Sequence, residues 1–429
     1  MNIRAVTIWL FAIIITLALL ACSDTMQVAD EGGIGGTGIV SSGPVSGFGS
    51  VHVNGIRFDT SAAQITVGGM DATEDALQLG MVVTVVGEIN AALTQGRADT
   101  VTFNYLLQAA EVSNIDQQEG TITAAGKTIR VDELTVFINR SMATLVVGDT
   151  INVSGNSRAS GEIVATHIAA VAGLGPATTP VIDNTNALEE QILGVTDQLG
   201  VERVILSGLI TSQLAGSRIV VQGVAVGFDA DTLITNGTES DLNVDTGVNI
   251  KARLNASGEL SAEQITIQRR ANVYIEAAID AIDADSASVT LAGIATTVTA
   301  DTLMQDSSSV NLRRFSLSDL GISDNLTVYG RREGETITLS RLQRRDTLAT
   351  TTLSGPIGSV ISNPTFELLG LVVDATNVAT ENGYTDADGN STSADAFFAQ
   401  LSEGALVRVS GTLNGSTLIA DSATIVVQE

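Results

Sequence analysis

The sequence predicts a mainly β protein: about five small, closed barrels of Greek-key type in tandem, with a short helix in some units and one connector helix. Three observations lead there. The apolar fraction is 44% with only 3% aromatic, alongside 42 glycines and 5 prolines; such a chain makes many short aliphatic strands joined by glycine turns. A strand of the form Gly-x-x-Val-x-Val-x-Gly recurs at one spacing, as Gly80, Val83, Val85, Gly87, as Gly148, Ile151, Val153, Gly155, and as Gly404, Val407, Val409, Gly411. The landmarks around that strand return in the same order five times, and repetition of that kind marks a repeat architecture.

From the N-terminus, Asn2 and Arg4 precede an unbroken apolar run from Ala5 to Leu20, closed by the small residue Ala21. The run is short for a membrane span and has the layout of a cleaved export signal. Leu19-Leu20-Ala21-Cys22 resembles the bacterial lipobox, which implies cleavage before Cys22 and covalent lipid on its thiol. Cys22 is the single cysteine of the chain, so the mature protein has no disulfides and each module must hold itself by its core. Several acyl chains give stable attachment where one gives only reversible binding. Ser23 after the cysteine favours the outer membrane over the inner. Asp30 to Ser42 reads as a flexible glycine and serine spacer. It contains a literal G-x-G-x-x-G, Gly33 to Gly38, without the flanking strand and helix that a dinucleotide site requires.

The repeated units follow. Strict alternation in each signature strand marks one buried face, and weaker copies stand at Gly247, Ile250, Ala252, Leu254 and at Leu326, Val328, Gly330. Before each copy comes an apolar strand ending in Asp and Thr: Asp59-Thr60, Asp132 with Thr135, Asp229 with Thr232, Asp301-Thr302, and Asp374 with Thr376. After each comes a last strand with a small residue and alternating aliphatics. Between the two landmarks a polar stretch can start a short helix, most clearly after Ser393, a suitable N-cap. Three strands, a helix or turn, then two strands is the order of an OB-like barrel, whose closure removes aggregation-prone edges. Leu188, Ile192, Val195 and Leu199 share one helical face and predict the connector helix. The resulting boundaries are 1–21 for the signal peptide, 22–43 for the tether, 44–106 and 107–170 for modules one and two, and 171–202 for the linker with its helix. Modules three, four and five are 203–270, 271–346 and 347–429.

The GGIGGTG spacer, the SGFGSVHVNGIRFDT opening and the LGMVVTVVGEI strand resemble bacterial lipoproteins that carry repeats of a domain of unknown function, numbered 5666. The likeness is close in the first unit, fair in the second and fifth, and divergent in the third and fourth. It implies OB-like modules and brings no established activity.

Chemistry-bearing residues are sparse. His52 and His167 are the two histidines; no His/Cys cluster suits zinc and no nucleophile elbow flags a serine. Asp386, Asp388 and Asn390 alternate around Gly389 like the start of a calcium loop, with Asp395 as a further oxygen donor, but Phe397 stands where the closing glutamate belongs. Calcium is therefore the one cofactor to consider beyond the lipid on Cys22. Arginine doublets gather in the fourth unit: Arg313-Arg314, Arg331-Arg332 and Arg344-Arg345. Arginine forks suit carboxylate, phosphate or sulfate groups, so these six are candidate anion ligands, with Arg331-Arg332 expected at a hairpin turn.

With Asp+Glu 48 against Lys+Arg 21 the formal charge is −27, and −28 once Arg4 leaves with the signal. Such a surface repels nucleic-acid backbones. The expected function is non-enzymatic: a lipid-anchored protein of the bacterial cell envelope that binds or scaffolds an envelope protein, glycan or surface polymer and meets the membrane through its anchor. The alternatives are an envelope hydrolase with its site between modules and, against the charge and the lack of stacking aromatics, single-stranded nucleic-acid binding.

Overall fold

The computed structural model describes residues 37–171, 201–255, 257–358, 362–379 and 382–427. The expected signal peptide, Cys22, the expected tether up to residue 36 and the expected connector helix lie outside the described residues.

Five units each close the same ring of five strands. In unit one these are Thr37–Gly47, Val51–Val53, Ile56–Asp59, Val82–Ile89 and Gln95–Phe103, the first to fifth strands in chain order. First pairs with second and second with third, all antiparallel; third runs parallel to fifth; fifth pairs back with fourth, and fourth with first. Unit two repeats this with Leu107–Asp116, Thr121–Ala124, Lys127–Arg130, Thr150–Ser157 and Ile163–Val171. Unit three uses Val201–Leu214, Arg218–Val221, Val224–Gly227, Gly247–Leu254 and Leu260–Gln268. Unit four uses Val273–Asp283, Ser288–Leu291, Ile294–Thr297, Asn325–Glu333 and Thr336–Arg345. Unit five uses Thr351–Pro356, Thr365–Leu368, Leu371–Asp374, Leu406–Asn414 and Thr417–Ile425, its first and second strands joined by a single bridge, Ile357 to Leu368. This is the OB-like order, complete in all five, including the two units whose sequence signature is weakest.

The signature strand is the fourth strand of the ring, and packing explains its spelling. Val83 and Val85, Ile151 and Val153, and Val407 and Val409 are buried on the barrel side. The opening glycines take positive φ at +79°, +93° and +83° for Gly80, Gly148 and Gly404, where a side chain is strained. The closing glycine faces a bulge in the fifth strand. Gly87 pairs with Ala98 while Val86 pairs with Thr100, so Asp99 is the extra residue. Thr166, Glu263, Ser340 and Asp421 are the extra residues of the other units. There the backbones come so close that a Cβ on Gly87, Gly155 or Gly411 would stand 2.0, 2.1 or 2.0 Å from a carbonyl oxygen of the fifth strand.

The Asp-x-x-Thr landmark secures the same bulge. The Thr135 hydroxyl donates to the Ala165 carbonyl at 2.6 Å, Thr232 to Ala262 at 2.9 Å and Thr302 to Leu339 at 2.8 Å. Each hydroxyl also accepts the backbone N–H three residues earlier, from Asp132, Asp229 or Thr299. In unit four the partner is thus Thr299, not Asp301. Between third and fourth strands, units one, three and four carry a single 3-10 turn, at Glu74–Ala76, Glu239–Asp241 and Leu317–Asp319. Unit five carries a helix, Ala394–Gln400, capped by Ser393, whose side chain accepts from Ala396 N–H.

The units are welded rather than strung. The first strands of units one and three pair in parallel, Gly38 to Val201 through Ser42 to Leu206. Val40 and Val86 pack into the core of unit three, and Ile205 into that of unit one. This corrects the expected tether 22–43: from Thr37 onward the chain is a strand, with Ile39, Val40, Ser41 and Ser42 all buried. It shows no periodicity because strands flank it on both edges and side chains on both faces are covered. Gly43 admits the Asn54 side chain, whose amide donates to the Ser41 hydroxyl and the Ser42 carbonyl, both at 3.0 Å. Units four and five join through antiparallel first strands, Tyr274 to Ser354 and Glu276 to Thr352, and share one continuous core.

Candidate functional site

Most of the sequence-flagged polar residues turn out to hold the protein to itself. Arg313 reaches from unit four into unit one. Its guanidinium lies 3.7 Å from the Phe48 ring centroid, donates to the carbonyls of Leu77 at 2.8 Å and Glu74 at 2.5 Å, and faces Asp75. Arg314 is 3.6 Å from Glu74. Arg344 forks onto Asp306 at 3.0 and 2.5 Å and donates to the Asp319 carbonyl. Burial would raise the Asp306 carboxyl, but Arg344, Ser308 and Leu312 N–H hold it well below the usual range. Arg331 binds Glu333 and the Arg270 carbonyl, and Arg332 the Gly334 carbonyl. Both belong to the fourth strand, which runs to Glu333, so the turn comes after them and not at them. Arg345 is exposed at the end of the fifth strand. The six do not converge on a common point: Arg313 and Arg314 meet unit one at Glu74, Arg331 and Arg332 bond at their own hairpin, and Arg344 is held on Asp306.

Asp386 shapes a turn. Its Oδ1 accepts the N–H groups of Asp388 and Asn390 at 3.0 and 2.8 Å between the short strands Tyr384–Thr385 and Ser391–Thr392. Asp395 is in the helix, accepting from Asn363. Among the described residues no group of three or more His, Cys, Asp or Glu side chains is arranged to hold a metal ion. His52 sits opposite Arg57 in unit one, its pKa lowered by burial and by that charge. His167 is a contact between units one and two: Nδ1 donates to the Leu79 carbonyl at 2.9 Å, beside Thr166, which donates to that of Gly80.

What the sequence did not announce is a polar face crossing units four and five. Directly opposed residues of antiparallel strands share a face, and the registers line up two rows over six strands. One row runs Arg341, Tyr329, Tyr274, Ser354, Arg408, Thr424; beside it run Gln343, Thr327, Glu276, Thr352, Ser410, Ser422. At about 4.8 Å per strand the rows span roughly 24 Å. The opposite face is the shared core, with Ile275, Val328, Leu353 and Val409 buried, so the rows point outward. Neither row holds an aliphatic side chain.

Within it the long side chains stand over a floor of short ones. Thr327, Thr352 and Ser354 are buried between their neighbours, while Tyr274, Tyr329 and Glu276 are half-buried and Arg408 is exposed. The two tyrosine rings meet edge to face with centroids 4.9 Å apart, and the Arg408 guanidinium lies 4.9 Å from the Tyr274 centroid. Burial, then the hydrogen bond and charge of Glu276, push the Tyr274 hydroxyl far up, so it stays protonated. Glu276 also accepts from Thr327 at 3.2 Å. Among the described residues Arg408 makes no ion pair. At the other end Arg341 is buried and closes the row against unit two, donating to the carbonyls of Glu133 at 2.9 Å and Thr135 at 3.1 Å. The signal that could have found this face was present: Tyr274, Glu276, Tyr329 and Arg408 are the outward positions of strands identified by their inward ones. Only the pairing of the two first strands was missing, and that made them neighbours.

The family model described as Domain of unknown function (DUF5666) matches residues 37–94, 110–169, 207–266 and 354–422, more than half of the chain. These segments fall on units one, two, three and five; unit four, Val273 to Arg345, closes the same ring outside them. No curated protein matches the chain.

Proposed function

We propose, from the premise that the chain belongs to the DUF5666 family, that it is a non-enzymatic binding or scaffolding protein of the bacterial cell envelope, held at a membrane by lipid on Cys22. The observation that supports this reading best is the two-row face: an outward sheet surface with two tyrosines, an exposed arginine and a carboxylate, carried on a rigid shared core. Tyrosine and arginine are the side chains that most often anchor recognition, and a face built on strands is more precise than one on loops. Welding of the units presents this face as a single surface.

Two measurements test the reading. Cys22→Ser should abolish labelling by radioactive palmitate and leave the signal uncleaved, read as a larger intact mass. Co-purification of the full chain from native membranes should retain an envelope protein or glycan, and substitution of Arg408 and Glu276 should release it. Palmitate labelling that survives Cys22→Ser, or a parent protein that takes up no label, would remove the anchor from the reading; a full chain that brings nothing with it would remove the binding role.

A further inference from the structure

The geometry points to one class of ligand for the two-row face: an extended, neutral polysaccharide chain running along the rows, across the strands of units four and five. This rests on the reading of the chain as a binding protein and narrows what it binds.

Four features select the class. The face lacks aliphatic side chains in both rows, so around its tyrosines and arginine it offers a folded protein partner little apolar area to bury. Above the buried floor its polar groups are the hydroxyls of Ser410, Ser422 and Thr424, the Gln343 amide, the Glu276 carboxylate and the Arg408 guanidinium, which match a polymer dense in hydroxyls that both donate and accept. The half-buried Tyr329 ring, set edge to face against Tyr274, adds polarisable aromatic surface, while the Tyr274 ring carries the Arg408 guanidinium. Finally, Glu276 and Arg408 offset each other once Arg341 is committed to unit two, and the chain as a whole carries −27. An anionic polymer meets repulsion from that field and finds one exposed cation on the face. A neutral chain meets neither problem. Arg408 spreads planar donors over Ser354 and Tyr274, suited to hydroxyl and ring oxygens. Even with the Arg341 end closed against unit two, the first row crosses five strands from Tyr329 to Thr424, which favours a polymer over a single sugar.

Arg408 over Tyr274 also bridges units four and five, so a purely structural role makes a different forecast. The test is affinity electrophoresis of the full chain in detergent, in native gels containing dextran, mannan, mixed-linkage β-glucan or, as the anionic probe, alginate. At least one neutral polymer should retard the protein. Arg408→Gln and Glu276→Gln should each weaken that retardation about tenfold, while the melting temperature of either variant stays within about two degrees of the parent. Gln264→Ala, on the fifth strand of unit three and away from both rows, should leave retardation unchanged. Retardation by alginate alone, retardation that both face variants keep, or none by any polymer would each overturn the assignment. An envelope partner that still co-purifies in those cases leaves the binding role standing and removes only this ligand. Variants that melt early and bind normally would identify a structural staple.

Discussion

His167 is buried on the fifth strand of unit two, directly after the bulged residue, with Nδ1 bonded to Leu79 and Nε2 facing no partner. Burial pulls its pKa from the ordinary 6.5 down to about 4, although the Leu79 hydrogen bond works in the other direction. The unfolded imidazole takes up a proton near pH 6.5 and the folded one only near 4. Its contribution to stability is therefore complete above pH 6.5 and is lost as pH falls toward 4, by about 3 kcal/mol at most. Asp132, raised to about 6 chiefly by burial, acts with the opposite sign over much of the same range. The difference between His167→Gln and parent thus isolates the histidine. Urea unfolding at stepped pH should give the variant a shallower decline between pH 6.5 and 4.5; parallel curves would refute the role of this ring. A second residue-scale expectation concerns Gly411. A Cβ there meets the Ile419 carbonyl at 2.0 Å, so Gly411→Ala should cost about 2–3 kcal/mol by backbone displacement, read as a drop in thermal midpoint.

At the scale of the strand, the bulge, its facing glycine and the threonine three residues into the preceding turn form one device. Thr302 is buried, donates to Leu339 and accepts from Thr299 N–H. Thr302→Val keeps the shape and leaves the buried Leu339 carbonyl without this donor, so a loss of about 1–3 kcal/mol is expected, while Thr302→Ser should recover most of it. Denaturant titration decides between them. Much of this was legible: Gly87, Gly155 and Gly411, an Asp followed by a Thr before each signature strand, and Ser393 as a cap all stand in the sequence in repeat order, whereas the three-residue spacing that works in units two and three was not read. The strand from Thr37 to Gly47 was not. Its Gly, Ser and Pro content is that of a linker when read locally, and only its two flanking strands, one of them in unit three, make it a buried element. The polar face escaped for a related reason, because row membership depends on register between units, and local alternation reports only which face is inside.

For the molecule as a whole, arginines of unit four serve as bolts. Arg313, read from sequence as an anion ligand, pins unit four to unit one, and Arg341, which the sequence did not single out, pins it to unit two. A buried guanidinium left without its acceptors is costly, so removing the whole group is the cleaner perturbation. Arg341→Met should lower the thermal midpoint and split a single calorimetric transition into two, as unit contacts loosen before the barrels melt; one unchanged transition would show that the contact carries no cooperativity. The parallel weld between the strands that begin at Thr37 and Val201 has its own consequence. Unit one cannot finish until unit three has been delivered, with the whole of unit two between them in the chain. A polypeptide made from its N-terminus emerges in order, so this early strand waits with one hydrogen-bonding edge bare, a template for any other extended segment. The ring of unit one can close on its own, but its seam is sealed only after two further modules have been made, and that interval is when a holdase chaperone would matter most to the chain.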